Sequence, residues 1–519
     1  MPQNTRHKKN KHQKHKKQPS NSTSPDVSSD VENDLPYRIE TSDVMGRYLV
    51  ANRNLNAGEN IIQESPVAIG PAANSEAVCL GCYIPVKLSL SQYRCSDCKW
   101  PLCSADCRGI GHVNGHTEYE CKFLKEKNSA VDLIATATLT KIKHLYELIL
   151  PIRILLMKTH KPDSYERIRV MESHIKLRKL NKILWDHYQE IIVNKLLKEW
   201  NLEGFSEEDI HTICGVIDVN CFEIGQKSAK ARAMFPSAFL LSHDCVPNTS
   251  HTDHPETFSI MLRTSKRIKK NEPITLSYAY TLQGTFKRRD FMHAGKLFWC
   301  QCERCSDPTE LKTDCSALVC AECSKGSVRS IDPLDQDADW KCDNCAYKLG
   351  AKSLESLLDK LNNELESIDP HNVAGLEGFL KKYQNTLRPN HYLFLSAKYS
   401  LCQVYGRIDG YLIHEMSLED IKRKEKYCRD FLTVIDVLEP GLTRLRGLIM
   451  YELHAPIMVL STRLIQNKLI TRNDFQRNIK EVARLLRESR DILKMEPEGS
   501  NEYMMGQAAE DALKGMGMV

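Results

Sequence analysis

The chain has 519 residues, of which 41% are hydrophobic and 27% are charged, and its formal net charge is only +5. These proportions are typical of a soluble globular protein of roughly three or four domains. No uncharged apolar run approaches the roughly 18 residues of a membrane span, and the basic N-terminus lacks the apolar stretch of a secretory signal. We therefore expect a protein of the nucleus, the cytoplasm or both. There its 20 cysteines would bind metal more often than they form disulfides.

Residues 1–35 form a polar, basic tail. Seven lysines and arginines in its first twenty residues supply much of the net charge, and without them the chain is near neutral to slightly acidic. The tail has no apolar periodicity and is expected to be disordered. It is either a solvated tail or an arm for nuclear localisation or nucleic-acid contact. Nucleic acid is not expected as a partner of the rest of the chain.

Short strand-like runs follow at 46–51 and 61–64, separated by a turn at Gly58. A segment rich in cysteine comes next, with eight soft donors in four close pairs. Eight donors suffice for two tetrahedral zinc ions, and the histidine among them argues against a disulfide framework. The eight donors are Cys79, Cys82, Cys95, Cys98, Cys103, Cys107, His116 and Cys121. His112 is an alternative ligand to His116.

Residues 124–212 have apolar residues at helical spacing, and strand character is expected to return over residues 210–280. Three motifs then follow in order: 242–248 (SHDCVPN), 272–278 (EPITLSY) and 300–305 (CQCERC). The three cysteines Cys300, Cys302 and Cys305 need a fourth donor to complete a tetrahedral zinc site, and Cys245 is the nearest one upstream. Such a zinc would fix the loop around His243 and the following tyrosine-bearing segment against the segment around Phe298.

Two further units complete the chain. A second set of four cysteines has the paired spacing of a zinc ribbon and is expected to be structural: Cys320, Cys323, Cys342 and Cys345. From Leu354 onward, apolar residues at helical spacing are interrupted by Pro370, Pro389, Pro440 and Pro497. Antiparallel helix pairs of tetratricopeptide type fit this pattern, although no clean repeat of about 34 residues is visible.

The order of these motifs resembles the catalytic half of a SET domain, whose pattern includes Asn-His-Ser-Cys-x-Pro-Asn, Gly-Glu-Glu-x-x-x-x-Tyr and Cys-x-Cys-x-x-Cys. With the paired donors before it, the chain is similar to the SMYD family of SET and MYND domain proteins, as a divergent, insect-type member. The fold class is then α+β. The expected units are a disordered tail (1–35), the first part of the SET domain (36–76), a MYND zinc finger (77–123), a helical insert (124–212), the SET core (213–285), a post-SET zinc segment (286–309), a four-cysteine zinc ribbon (310–349) and a C-terminal helical domain (350–519).

The resemblance implies a protein-lysine methyltransferase that uses S-adenosylmethionine and acts on histone or non-histone proteins, with Tyr278 as the catalytic hydroxyl. It implies that the cofactor is held by Gly46, Arg47, Tyr48, Asn220, Leu241, Ser242, His243, Tyr278 and Phe298. In the finger it implies that one zinc binds Cys79, Cys82, Cys103 and Cys107 and that the other binds Cys95, Cys98, His116 and Cys121. MYND fingers in other proteins bind proline-rich peptides, so such partners are expected by resemblance.

The chain departs from the family pattern at four positions. Tyr48 stands where the family has a second glycine, Ser242 where it has asparagine, and Asp244 where it has serine. Lys296 stands where many members have a tyrosine that lines the lysine channel, so it would either repel an incoming ammonium or point to solvent. A second hypothesis is therefore an adaptor that keeps the SET fold as a scaffold and recruits partners through the finger and the helical domain. DNA binding through the basic tail is a third.

Overall fold

The computed structural model describes residues 35–73, 75–87, 93–128, 139–226 and 229–518. Residues 1–34 of the predicted tail and 129–138 of the predicted helical insert lie outside these ranges. The described residues form a mixed α and β structure, as predicted. They bury three hydrophobic cores and a smaller cluster around the Cys245 thiol.

The first core lies between small sheets that join the start of the chain to its middle. Strands β1 (Tyr37–Ser42) and β2 (Gly46–Ala51) form a hairpin. The sheet orders are β3-β9-β8 and β4-β6-β5, all antiparallel. Their strands are β3 (Asn60–Glu64), β4 (Ala68–Pro71), β5 (Phe222–Gln226), β6 (Ala229–Met234), β8 (Thr249–Asp253) and β9 (Ile260–Thr264). Apolar residues alternate along β9, with Ile260 and Leu262 in the core.

A short parallel pair lies beside these sheets. Strand β7 (Ser242–His243) pairs with β10 (Thr275–Leu276), so that Ser242 lies opposite Thr275 and His243 lies opposite Leu276. Two segments that are more than thirty residues apart in the sequence therefore run side by side. This pairing places the His243 loop close to the start of the segment that carries Tyr278.

The second core joins the cysteine-rich segment to the helical insert. The helices are α1 (Glu118–Glu126), α2 (Leu139–His160), α3 (Pro162–Arg169), α4 (Ile175–Leu180), α5 (Lys182–Tyr188), which continues as π-helical turns at Gln189–Val193 and Lys195–Glu199, and α6 (Glu207–Asn220). The predicted return to strand character at 210 is wrong, because α6 continues to Asn220 and β5 begins at Phe222. Ser206 and Asp209 form a capping box that starts this helix, and its apolar face is buried through Ile217.

The third core holds the helical C-terminal part. Helices α7 (Thr285–Lys296) and α8 (Glu303–Ser306) precede a four-stranded sheet of β11 (Leu318–Val319), β12 (Ser327–Ser330), β13 (Trp340–Cys342) and β14 (Lys348–Leu349). The later helices are α9 (Ala351–Glu366), α10 (Val373–Lys382), α11 (Tyr392–Val404), α12 (Leu418–Leu438), α13 (Arg444–Gln466), α14 (Arg472–Leu493) and α15 (Asn501–Gly515). Pro370, Pro389, Pro440 and Pro497 all fall in the connections between helices. Consecutive helices from α12 to α15 pack against one another.

Helix α13 is, among the described residues, the one helix that is long and apolar enough to cross a membrane by length and composition alone. It packs between α12 and α14. Ile449, Leu453 and Ile457 on this helix are buried in the third core. Packing within the helical domain therefore accounts for its apolar residues.

The helical domain docks on the β8–β9 sheet through the loop before α13. The amide of Leu442 donates to the carbonyl of Ser265, at 2.8 Å. Gly441 has a φ of +91°, and a Cβ atom there would lie 2.1 Å from the Ser265 oxygen. Glycine is therefore required where the two backbones meet. In the same interface the Glu496 carboxylate lies 3.5 Å from Arg444.

Glu496 makes this interface sensitive to pH. Burial raises its pKa to about 7, because the nearby Arg444 and Arg263 do not compensate for the lost hydration and Glu502 and Asp253 oppose its charge. As the pH rises from about 4.5 to about 7, the folded state loses stability relative to the unfolded state, in which this carboxyl ionises freely.

We therefore expect Glu496→Gln to stabilise the protein at pH 8 by on the order of 2 kcal/mol, seen as a rise of a few degrees in Tm, because it removes a buried charge. At pH 6 the gain should be smaller. Thermal melts of both proteins at the two pH values would measure this difference. Glu498→Gln, which makes the same charge change at an exposed position, is the control. An equal gain at both pH values would contradict the expectation.

Candidate active site

Four thiols from two distant segments meet at one point, which we call the Cys245 cluster: Cys245, Cys300, Cys302 and Cys305. Their sulfur atoms all lie within 4.8 Å of one another. The sulfur of Cys245 is 4.0 Å from that of Cys300 and 3.5 Å from that of Cys305. Sulfurs bound at about 2.3 Å to one tetrahedral zinc ion would lie about 3.8 Å apart, so this set fits zinc.

Buried arginines surround the Cys245 cluster, and one of them donates hydrogen bonds to its sulfur atoms. Arg288 donates from Nε to the Cys245 sulfur at 3.3 Å and from Nη2 to the Cys305 sulfur at 3.5 Å. Glu310 holds both Arg288, at 2.9 Å, and Arg304, at 2.8 Å, and all three side chains are nearly fully buried. Burial acts to raise the pKa of Glu310, but the two guanidiniums outweigh it and lower the pKa to about 2. These cations offset the negative charge that four thiolates and a zinc ion would carry.

His243 connects the cluster to the segment of Tyr278. Its Nδ1 accepts the backbone N–H of Tyr278 at 2.9 Å. We therefore assign the proton to Nε2, which donates to the Cys245 sulfur at 3.3 Å. One imidazole thus fixes the distance between the thiols and the tyrosine backbone.

Tyr278 lies in a group of three rings with His243 and Phe298. Its ring centroid is 5.1 Å from that of His243 and 6.4 Å from that of Phe298. The hydroxyl donates its proton to the carbonyl of Leu241, on the loop that leads into β7. Burial raises the pKa of this phenol, so it stays protonated at neutral pH. With the proton committed to Leu241, the oxygen lone pairs are left to accept a hydrogen bond from another group.

Comparison with known proteins identifies the domain that carries this arrangement. Residues 46–279 match the SET domain. The matched segment is a SET domain and covers a little less than half of the 519 residues. SmydA-8 isoform B, a SET domain-containing protein of Drosophila melanogaster, is 26% identical over 437 residues, which cover 80% of this chain and 90% of that relative. The predicted kinship with SET and MYND proteins of insect type is thus confirmed.

Two other relatives come from Arabidopsis thaliana and Dictyostelium discoideum. Histone-lysine N-methyltransferase ASHR1 of Arabidopsis thaliana is 24% identical over 434 residues, covering 78% of this chain and 83% of that protein. A SET and MYND domain-containing protein of Dictyostelium discoideum is 24% identical over 318 residues, covering 52% and 81%. A crystal structure of the SET domain of LSMT bound to methyllysine and AdoHcy has 10% identity, covers 86% of this chain and 95% of that one, and has a TM-score of 0.24.

Within the SET domain, the loop predicted to hold the cofactor is close to Tyr278. Leu241 contributes the carbonyl that accepts the Tyr278 proton, and the next residue, Ser242, has a buried hydroxyl oxygen without a hydrogen-bond partner among the described residues. At the start of the domain, Gly46 has a φ of +64° and open space where a Cβ atom would lie. Arg47 donates to the carbonyl of Val170 at 2.7 Å, which ties this loop to the helical insert.

Tyr48 stands where the family pattern has a second glycine. It lies on β2, opposite Glu40 of β1, and its side chain is only partly buried.

Asn220 is placed differently from the prediction. It is the last residue of α6 and not part of a strand. Its side-chain nitrogen donates to the carbonyls of Glu172, at 2.8 Å, and Val216, at 2.7 Å. The amide therefore joins the end of α6 to the loop before α4. The sequence predicts a strand at Asn220 because Phe222 and Ile224 follow it at strand spacing, and it does not predict the helix that ends at Asn220.

The Lys296 ammonium is bound to backbone carbonyls, so it neither extends into solvent nor is free to move toward Tyr278. Its ammonium donates to the carbonyls of Asp218, at 3.0 Å, and Val219, at 2.7 Å, in the last turn of α6. It lies 5.8 Å from the centroid of the Tyr278 ring. Burial lowers its pKa. The lysine thus caps a helix whose end carries partial negative charge.

The cysteine-rich segment holds two interleaved sets of ligands. One set is Cys79, Cys82, Cys103 and Cys107, and the other is Cys95, Cys98, His116 and Cys121. Contacts between ligands of one set run from 3.3 Å to 3.6 Å, which fits zinc. His116 lies in the second set, with Nε2 at 3.3 Å from the Cys98 sulfur, whereas His112 accepts the amide of Asn114.

Two residues that sequence reasoning missed orient His116. Glu120 lies 3.7 Å from its Nδ1, and Arg153 holds Glu120 through two hydrogen bonds of 3.0 Å. A carboxylate behind a ligand histidine fixes the ring and raises its basicity. The sequence feature that could have predicted this role is the single charge of Arg153 within the apolar run 148–156, which lies on helix α2 and is largely buried.

The ribbon cysteines form the fourth set. Cys320 and Cys345 lie 3.5 Å apart, and Cys323 and Cys342 lie 3.8 Å apart. The loop between β12 and β13 reaches the Cys245 cluster. There Leu334 packs against the thiols, and the buried Arg289 donates to the carbonyls of Cys300 and Pro333, each at 3.0 Å.

The remaining cysteines belong to no ligand set among the described residues. They are Cys214, Cys221, Cys315, Cys402 and Cys428. Cys402 and Cys428 are fully buried in the helical core.

We expect the purified protein to hold about four zinc ions, one for each of the ligand sets, two of which lie in the finger. Cys302→Ser should lower the content to about three, because a set of three thiolates binds zinc more weakly. Metal analysis by mass spectrometry would measure both. Cys402→Ala, which changes a cysteine outside the ligand sets, is the control and should keep the full content. A full complement in Cys302→Ser would contradict the assignment.

Proposed function

We propose that the chain is an S-adenosylmethionine-dependent protein-lysine N-methyltransferase. The observation that carries the proposal is the position of Tyr278. Its hydroxyl donates to the Leu241 carbonyl, and its backbone N–H is bound to His243, which in turn contacts the Cys245 cluster. A hydroxyl oriented in this way suits a reaction that aligns an amine and needs no dedicated acid or base.

The residues of the site fit the cofactor. The unpartnered hydroxyl of Ser242 and the partly exposed ring of Phe298 are available to it, beside the backbone of the loop from Leu241 to His243. Gly46 and Arg47 would approach it from the start of the domain. Asn220 would contribute through its carboxamide oxygen, because its nitrogen is already in use. When bound, S-adenosylmethionine supplies a methyl group on a positively charged sulfur.

The chain's own residues prepare the amine. A lysine has an ordinary pKa of about 10.4 and must lose a proton to become a nucleophile. The burial that raises the pKa of Tyr278 also removes water from an amine beside it and so disfavours the charged form of the amine, and the Tyr278 oxygen accepts a hydrogen bond from its N–H. Lys296 adds a positive group near the Tyr278 ring, which further disfavours an ammonium.

The substrates and setting that we propose are protein lysines, on histone or non-histone proteins, in the nucleus, the cytoplasm or both. A role in transcriptional regulation would follow from histone substrates. The MYND finger would dock proline-rich peptide partners. SmydA-8 and the Dictyostelium proteins support the domain organisation, and the name of the Arabidopsis relative supports the reaction class.

A second candidate is an adaptor without turnover. It is favoured by two observations: Lys296 takes the place of a channel tyrosine, and the Asn220 amide nitrogen is engaged within the chain. An adaptor would label no protein in an extract. Cys95→Ser, which removes one ligand of a zinc site in the finger, would abolish the binding of a partner protein to such an adaptor.

Tyr278→Phe tests the first candidate. We expect the variant still to bind S-adenosylhomocysteine in isothermal titration, because it loses only the hydrogen bond from Tyr278 to the Leu241 carbonyl and the other residues of the cofactor loop are unchanged. Transfer of radiolabelled methyl to proteins of a whole-cell extract should fall by about a hundredfold or more, because the amine loses its acceptor.

Tyr280→Phe is the matched control, since this tyrosine is about half exposed and lies outside the three-ring group. Labelling by Tyr278→Phe at the level of Tyr280→Phe would exclude the role assigned to Tyr278. Cofactor binding with no labelling by any of the three proteins would favour the adaptor.

A further inference from the structure

A cleft of about 340 Å³ opens between the helical insert and the end of α7. Its lining includes Arg178, Tyr188, Asp218, Cys221, Arg232 and Leu297. None of these residues belongs to the cofactor loop or to a ligand set described above. The cleft therefore needs an explanation of its own.

Two arginines in the cleft keep unused hydrogen-bond donors. Arg178 is 2% exposed, yet its Nε and Nη2 atoms have no hydrogen-bond partner among the described residues. The Nε of Arg232 is also buried and unpartnered there. A buried, unpaired guanidinium donor costs free energy, and native proteins rarely leave one without a water, an ion or a ligand.

The charges around the cleft do not cancel. Asp218 is the shared acceptor. Its carboxylate accepts hydrogen bonds from Arg178 at 2.8 Å and from the hydroxyl of Tyr188 at 2.6 Å, and a weak one from Arg232 at 3.5 Å. Two guanidiniums thus face one carboxylate. Glu223 in the lining is paired with Lys230 at 2.6 Å.

One more acid lies near Arg232. This acid, Glu147, is not in the lining of the cleft, and burial raises its pKa. The cleft therefore favours an anion, and the fork of an arginine matches a carboxylate.

The cleft borders the proposed reaction site. Leu297, Ala294 and Gly295 line it on either side of Lys296, whose ammonium lies 5.8 Å from the Tyr278 ring centroid. The same ammonium holds the backbone of Asp218. Because an extended peptide advances about 3.3 Å per residue, a peptide with its lysine at Tyr278 would bring a neighbour a few positions away to the cleft.

We propose that this cleft binds an aspartate or glutamate side chain close in sequence to the target lysine, so that the preferred substrates are lysines in acidic segments. The proposal rests on the proposed function for the position of the lysine. Arg178 and Arg232 are then specificity-determining residues.

The test measures binding and does not depend on methyl transfer. Fluorescent peptides with a single lysine, and with either Glu or Gln at each position within four residues of it, are titrated with the full chain in the presence of S-adenosylhomocysteine. At one or two positions the Glu peptide should bind at least about tenfold more tightly than its Gln counterpart, measured by fluorescence anisotropy, and added salt should narrow the difference.

Arg232→Met should remove this preference and leave binding of the Gln peptides unchanged. Arg232→Lys, which keeps the charge, should retain part of the preference. Arg169→Met, at an exposed arginine of α3, should leave it intact. Circular dichroism and zinc content of the variants show whether they fold.

Equal binding of Glu and Gln peptides at every position would overturn the proposal, as would a full preference in folded Arg232→Met. Inorganic phosphate that binds the original protein and not Arg232→Met, without any peptide preference, would mark a site for a free oxyanion and would also overturn it. A clear preference with no methyl transfer to the extract would leave the acidic-segment site standing and refute only the proposed function.

Discussion

The Cys245 cluster is the constraint on which the proposed site depends. Its thiols come from two segments that the chain separates by more than fifty residues, and a shared zinc ion would offset the mutual repulsion of four thiolates at contact distance. Arg288 and Arg304, balanced by Glu310, supply positive charge where water cannot reach. Without this support the His243 imidazole would have no fixed sulfur to donate to, and the position of Tyr278 would be lost.

The same logic recurs in the MYND finger. There Arg153 and Glu120 form a buried ion pair behind His116, as Arg288 and Glu310 do behind Cys245. Both arginines come from helices that lie outside the ligand segments themselves. The metal sites are therefore built into the cores of their neighbours, and each neighbouring helix depends on them in turn.

The sequence was sufficient for features that depend on local spacing. Paired cysteines and the order of three motifs predicted which donors meet, and prolines predicted where the C-terminal helices end. It failed where a distant contact decides the outcome. The sequence predicts that Asn220 and Phe222 lie on one strand, but a capping box at Ser206 starts a helix that continues through Asn220. The capping of that helix by Lys296, and the unpartnered donors of Arg178, depend on side chains brought together only by folding.

The ribbon also differs from a separate appended module. Its first strand pairs with the segment at Leu387, and Trp340 is part of the helical core. On its other side, Arg289 joins the backbone of the ribbon loop to that of Cys300, and Leu334 covers the thiols. Removal of the ribbon would therefore expose the Cys245 cluster to solvent. Two zinc ions that bind separate ligands would thus be lost and gained together, as one cooperative unit.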